Sequence, residues 1–188
     1  MATFKLYLTT KVTDRNGRVV HKKTRASKSF VLQFLQLLET QLYGTVVSID
    51  NTAGVAKNIN PNAIGLRCNP AVTVSTYGIQ VGTGATATAS ADYVMETLIA
   101  HGVGAGELQY GAHSKVTAQI VGANVDFQLS RTFVNGSGGG INVTEFGLTM
   151  VGQSVGNEYF LCIHDVIGAV AVANGQTLTV TYTLRTTV

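Results

Sequence analysis

The sequence predicts a mainly β fold, an antiparallel β-sandwich or jelly-roll-like domain with one amphipathic helix near residues 27–43. Three observations lead there. Several short segments alternate apolar with polar residues, most cleanly where Leu178, Val180, Tyr182 and Leu184 oppose Thr179, Thr181, Thr183 and Arg185; such a period of two marks a strand with one buried face. Gly-rich turns separate these segments at the short intervals typical of sandwiches. Only one stretch carries a sustained helical period.

The elements follow in order. Residues 3–13 place Phe4, Leu6 and Leu8 on one face of a strand. Asp14-Arg15-Asn16-Gly17 is a turn, because Asn-Gly tolerates positive φ, and Arg18–Thr24 returns as the second strand of a hairpin. In 27–43, Phe30, Phe34, Leu37 and Leu38, with Val31, Leu35 and Leu42, recur at helical spacing. Ser27 or Ser29 is suited to cap the helix, and Gly44 to close it in a left-handed conformation. The apolar stripe is wide, so the helix is expected to be buried around much of its circumference, either as a core element or at a subunit contact.

A short strand, Thr45–Ile49, leads into an Asn-rich loop bracketed by Pro61 and Pro70. Val72–Val81 alternates well enough for a strand. Gly82-Thr83-Gly84 opens a loop that runs to Ala91, and 92–100 reads as a helical turn or a short strand. From Glu107 onward everything reads as β: 113–121, 125–134, 141–151, 158–166 and 176–187. In 125–134, Val125, Phe127, Leu129 and Phe133 share a face with one charged residue, Arg131.

The chain has 188 residues, a length suited to one domain over 1–188, with residues 1–26 set apart as a basic N-terminal hairpin or arm. Charged residues are 12% of the sequence, about half the usual share, while hydrophobic residues are 45%. That balance excludes intrinsic disorder and coiled coils. A neutral, Thr-rich surface is also better tolerated where neighbouring subunits cover it, a first pointer to assembly. The longest apolar stretch, 166–173, is too short to span a bilayer, which takes about 20 residues. The start, Met-Ala-Thr-Phe-Lys-Leu-Tyr, has no apolar signal region, so synthesis in a cytoplasm is expected.

Charge is unevenly placed. Residues 1–28 hold eight of the 13 basic residues (Lys5, Lys11, Arg15, Arg18, Lys22, Lys23, Arg25 and Lys28) and a single acid, Asp14, for a net +7. The remaining residues sum to −4. Three uses fit: a solvated hairpin, a docking element for acidic neighbours, or a nucleic-acid patch. The last is disfavoured, because the segment has little aromatic interleaving and no recognised nucleic-acid-binding signature.

No catalytic, cofactor or metal site is predicted. Gly102-Val103-Gly104-Ala105-Gly106 and Gly82-Thr83-Gly84 lack the residues and the strand–helix context of phosphate loops. His21, His101, His113 and His164 are scattered. His164 and Asp165, being adjacent on a strand, face opposite sides. Cys68 and Cys162 lack metal spacing; they read as buried reduced thiols, with a late disulfide after release from the cell as the alternative. Tyr43, Tyr77, Tyr93 and Tyr110, in or beside loops, leave open a carbohydrate- or receptor-binding module.

A further pattern lies in Ser130-Arg131-Thr132-Phe133-Val134-Asn135, the Gly loop after it, and Ile141-Asn142-Val143-Thr144-Glu145-Phe146-Gly147-Leu148. The 175–184 run, Val81-Gly82-Thr83-Gly84 with Asp92-Tyr93, and the Asn16-Gly17 hairpin leading into Ser29-Phe30-Val31 complete it. This pattern, spread over most of the chain, resembles structural proteins of tailed-phage virions. The resemblance implies a non-enzymatic capsid, neck or tail subunit, a homo-oligomer that also meets other virion proteins and is made in the host cytoplasm. No cofactor and no membrane partner are expected, and a nucleic-acid partner is disfavoured. On this expectation the basic residues of the N-terminal hairpin are the inter-subunit contact.

Overall fold

The computed structural model describes residues 3–27, 30–60, 67–153 and 156–187. Its elements in chain order are β1 (Thr3–Thr13), β2 (Val19–Ala26), α1 (Leu32–Tyr43), β3 (Val47–Asp50), β4 (Ala56–Ile59) and β5 (Gly78–Gly82), then β6 (Gln109–Val121), β7 (Asn124–Val134), β8 (Ile141–Gln153), β9 (Asn157–Val172) and β10 (Thr177–Thr187). The fold is mainly β and antiparallel, as the alternation predicts. One sheet has five strands in the order β2-β1-β10-β7-β6, a second has three in the order β5-β8-β9, and β3-β4 is a separate hairpin.

The two larger sheets share one core. Leu6, Leu8 and Val12 from β1, Leu178, Val180 and Tyr182 from β10, and Leu129 and Phe133 from β7 meet Ile79, Val81, Phe146, Leu148, Phe160 and Ile163 of the other sheet. The opposite face of the five-stranded sheet is polar: Thr9 and Lys11 on β1 lie beside Lys22 and Thr24 on β2 and Thr179, Thr181 and Thr183 on β10. One wet face and one dry face explain the clean alternation of these strands. The three-stranded sheet is buried on both sides along the middle of β8 and β9, because the segment 83–99 and the start of α1 cover its outer face. Met95, Val31 and Leu161 form a small second cluster there.

Several expectations change. Residues 3–26 form a hairpin, but not an arm. β1 pairs with β10 from Thr3↔Thr187 to Thr13↔Thr177, which makes it an interior strand, and Leu6, Leu8 and Val12 tie it into the core. The helix begins at Leu32, later than the periodicity suggests, because Phe30 and Val31 are extended: Phe30 bridges Ile163, and the Val31 N–H donates to the Cys162 carbonyl. Ser27 does not cap it but donates to Asp165, 2.6 Å away; Ser29 lies outside the described residues. Gly44 closes the helix at φ 74°, its N–H donating to the Thr40 carbonyl.

The helix is also less buried than its stripe implies. Gln33, Leu37 and Thr40 face inward, while Leu35 is 58% and Leu42 79% exposed. α1 rests mainly on β3 and β9, and the stripe's other flank, with Leu32, Leu35 and Leu42, is exposed. Within 72–81 only β5 is a strand, since Arg131 draws the preceding carbonyls away from ladder pairing. β4 arises where the sequence suggests loop; the Asn51 side chain accepts from the N–H groups of Ala53 and Val55 and so closes the β3–β4 turn. Pro61 lies outside the described residues.

Candidate functional site

The basic residues of the hairpin fall into three groups. Lys5, Lys11 and Lys22 stand on the polar outer face of the five-stranded sheet. Lys23 and Arg25, paired across from Thr10 and Leu8, belong to the other face at the sheet's β2 edge. Arg15 and Arg18 flank the turn, which Asp14 stabilises by accepting from the N–H groups of Asn16 and Arg18. Lys28 lies outside the described residues. The seven described cations line one hairpin, but none of them makes an ion pair among the described residues. Beside them, Val19 and Val20 are about half exposed on β2. An edge strand carrying lysines resists uncontrolled pairing with another sheet.

On α1 the exposed residues Leu32, Leu35, Glu39 and Leu42 follow a 3-4-3 spacing, which sets them in one line along the helix. Tyr43 and Val46, also exposed, extend the apolar area at its C-terminal end. The sequence shows these apolar residues, but periodicity alone cannot tell an inward stripe from an outward one.

The charged groups with the most restricted surroundings lie on the outer face of the three-stranded sheet. Glu145 on β8 is fully buried. It accepts from His164 Nε2 on β9 (2.9 Å) and from the backbone N–H groups of Gly84, Glu96 and Thr97. His164 Nδ1 meets Asp92 Oδ2 at 2.7 Å. Burial by itself raises the Glu145 carboxyl, but the bonds from His164 and the backbone outweigh it and hold the group below its usual range. Burial likewise depresses His164, yet its bonds with Glu145 and Asp92 leave it raised. With a carboxylate at each ring nitrogen, both nitrogens are engaged and the protonated ring is the favoured form.

Glu96 repeats the pattern, accepting from the backbone N–H groups of Ala85 and Thr86 and from the Thr86 hydroxyl. Gly82 and Gly84 leave room for Glu145, whose carboxylate would lie within 2.6 Å of a β-carbon at either position. A cleft of about 240 Å³ opens beside this cluster, lined by Thr86, Ala87, Asp92, Val94, Glu96 and His164. The acids stitch the 83–97 segment to the sheet. Among the described residues no group of three or more His, Cys, Asp or Glu is placed to hold a metal ion. No described helix is long and apolar enough to cross a membrane.

His164 and Asp165 do face opposite sides: Asp165 turns inward to accept from Ser27 and, at 3.4 Å, from Tyr182. Two of the remaining histidines serve the backbone, while His21 Nε2 meets the Thr10 hydroxyl at 3.2 Å. His113 Nε2 accepts from the Ile79 N–H, and burial, then the Arg131 charge, pulls it down to about 4. His101 Nδ1 accepts from the Tyr110 N–H. Cys68 and Cys162 are free thiols, the second fully buried.

These features define an antiparallel, sandwich-like β protein whose buried charges brace loops and whose open surfaces are a basic hairpin and an apolar helix face. No protein-family model, no curated protein and no solved structure matches the chain. Sequence reasoning singled out the hairpin's cations and left the wide stripe of α1 either in the core or at a subunit contact. It did not single out Glu39, because the spacing does not say which flank of the helix faces out.

Proposed function

We propose that the protein is a non-enzymatic structural subunit of a tailed-phage virion, built into the particle through contacts with copies of itself and with other virion proteins. The observation that supports it best is the exposed apolar face of α1. A chain with a closed core and 12% charged residues presents Leu32, Leu35, Leu42, Tyr43 and Val46 together to solvent. Contiguous exposed apolar surface on a stable domain marks an interaction site. The basic hairpin adds a second surface that finds no ion-pair partner among the described residues. Loop-bracing roles for His164, Glu145 and Arg131 suit a subunit that must keep its shape within a lattice.

The test is the mass of the purified protein by light scattering, with negative-stain microscopy of the same sample. Rings, tubes or defined large oligomers are the expected result. A stable 19.8 kDa monomer up to millimolar concentration overturns the self-assembling reading.

A further inference from the structure

We infer that the exposed face of α1 seats the β1–β2 hairpin of a second copy of this chain, in a head-to-tail contact. The inference rests on the proposed role as an assembling subunit.

Nearly every described acid is already engaged. Asp14 serves its own turn, and Asp92 and Glu145 grip His164. Glu96 and Glu107 accept from backbone N–H groups, Asp165 from Ser27, and Asp126 and Glu158 pair with Arg185 and Lys57. Glu39 and Asp50 remain, both exposed. Glu39 sits in the middle of the apolar line on α1, and Asp50 ends β3, the strand packed against that helix.

The bases show the converse. Outside the hairpin, Lys57 and Arg185 are ion-paired and Arg131 is buried, so only Arg67 and Lys115 are left there. Among the described residues, the unpaired positive charge is therefore concentrated on β1–β2, and the unpaired negative charge lies at α1 and β3. The two surfaces complement each other in sign.

They also match in character. Covering Leu32, Leu35 and Leu42 requires apolar groups, and burying Glu39 among them requires a cation. Two copies of α1 packed on each other fail the second condition. In parallel register Glu39 meets Glu39, and in an antiparallel pairing centred on the stripe it meets Leu35. The β2 edge meets both conditions, because Val19 and Val20 are exposed next to Arg18, Lys22 and Lys23. The 12-residue helix is about 18 Å long and the eight-residue strand about 26 Å, so one strand reaches along the whole stripe. The hairpin cannot fold onto its own helix, since β1 is locked between β2 and β10. A contact between two different surfaces is heterologous and propagates into a ring or a filament.

The test uses two full-length charge-reversal variants, Glu39→Lys and Lys22→Glu/Lys23→Glu. All three positions are exposed, so circular dichroism should show both variants folded. Each alone should need at least about a tenfold higher concentration to assemble than the wild type. Mixed one to one they should assemble again, because each supplies the surface that complements the other's changed one. Leu42→Ser should weaken assembly similarly without altering charge. If the wild type assembles and both reversals assemble as it does, the contact lies elsewhere and this inference falls while the proposed function stands. If each reversal alone is impaired and the mixture stays monomeric, the head-to-tail pairing is wrong. A monomeric wild type overturns both readings together.

Discussion

The guanidinium of Arg131 lies 4.8 Å from the centre of the Tyr110 ring, inside the protein, and pairs with no carboxylate among the described residues. Its counter-charge is made of backbone carbonyls. Nη1 donates to Tyr77 and Ile79, Nη2 to Val74 at 2.6 Å and to Ala71, and Nε to Gly111. A planar fork of five N–H donors suits such a task, and an ammonium does not. The residue therefore fixes the 71–79 segment to the inner face of β7, including the turn at Thr73, whose φ of 74° is costly for a residue with a branched β-carbon. Burial pulls the Arg131 guanidinium down to about 10, so it stays charged at neutral pH.

Arg131→Ala should therefore cost about 3–5 kcal/mol of unfolding free energy, since it strands several carbonyls and opens a cavity. Arg131→Lys should recover less than half of that loss. Urea titration of the three proteins measures it. A change below about 0.5 kcal/mol for the alanine variant would show that water replaces the guanidinium at no cost.

The His164 cluster makes stability depend on pH in both directions. His164 is raised above its ordinary 6.5 in the fold, so its contribution is complete below that value and is lost as pH rises through the folded value. Glu145 is lowered from 4.5, so its contribution is complete above that value and is lost as pH falls through the folded value. His164→Gln should cost about 2 kcal/mol near pH 6, where Glu145 loses a charged donor. The gap to the wild type should narrow as pH approaches 9. Unfolding curves across that range check it, and a gap that does not change with pH would rule out a charged His164.

How far the sequence reveals this architecture depends on what each strand packs against. β1, β7 and β10 have one dry and one wet face, and their alternation is plain even at Arg131, whose oddity among Phe127, Leu129 and Phe133 is the mark of its role. β8 and β9 are buried on both faces along their middle, so their alternation blurs there, and β9 runs on to Val172 through a stretch with no polar residue to mark its exposed face. β4 is four residues of weak propensity, set by the Asn51 turn and its pairing with β3. The basic hairpin is legible because charge is compositional. The acids that bind His164 are not, because Asp92, Glu145 and His164 are brought together from three distant segments by the pairing of β8 with β9 and the path of the 83–97 loop.

Removing residues 1–25 should destroy the fold. A detachable arm would leave a folded body, but β1 is bonded to β10 along its full length and buries Leu6, Leu8 and Val12. Those three side chains alone contribute about 2 kcal/mol each, a total comparable to the stability of a typical domain. The truncated protein should be insoluble or lack a cooperative thermal transition in circular dichroism. A cooperative transition in the truncated chain would mean that the second sheet and α1 suffice as a folding unit.

Cys68 and Cys162 should react slowly in the native protein. Burial raises the Cys68 thiol to about 11 and the Cys162 thiol further, and the thiolate is the reactive form. Cys162 is fully enclosed at the point where β8 and β9 shift register between Leu148 and Thr149, and its thiol donates to the Phe160 carbonyl. Treating the folded protein with a chromogenic disulfide reagent at pH 8 should release less than one equivalent within minutes. Two equivalents should appear promptly once the chain is unfolded in guanidinium. Of the two, Cys68 should be modified first, because Cys162 is reached only when β9 opens, so its labelling rate should fall in step with increasing global stability. Rapid release of two equivalents from the native protein would show that the β8–β9 irregularity opens locally, and that this part of the sheet is far less stable than its burial implies.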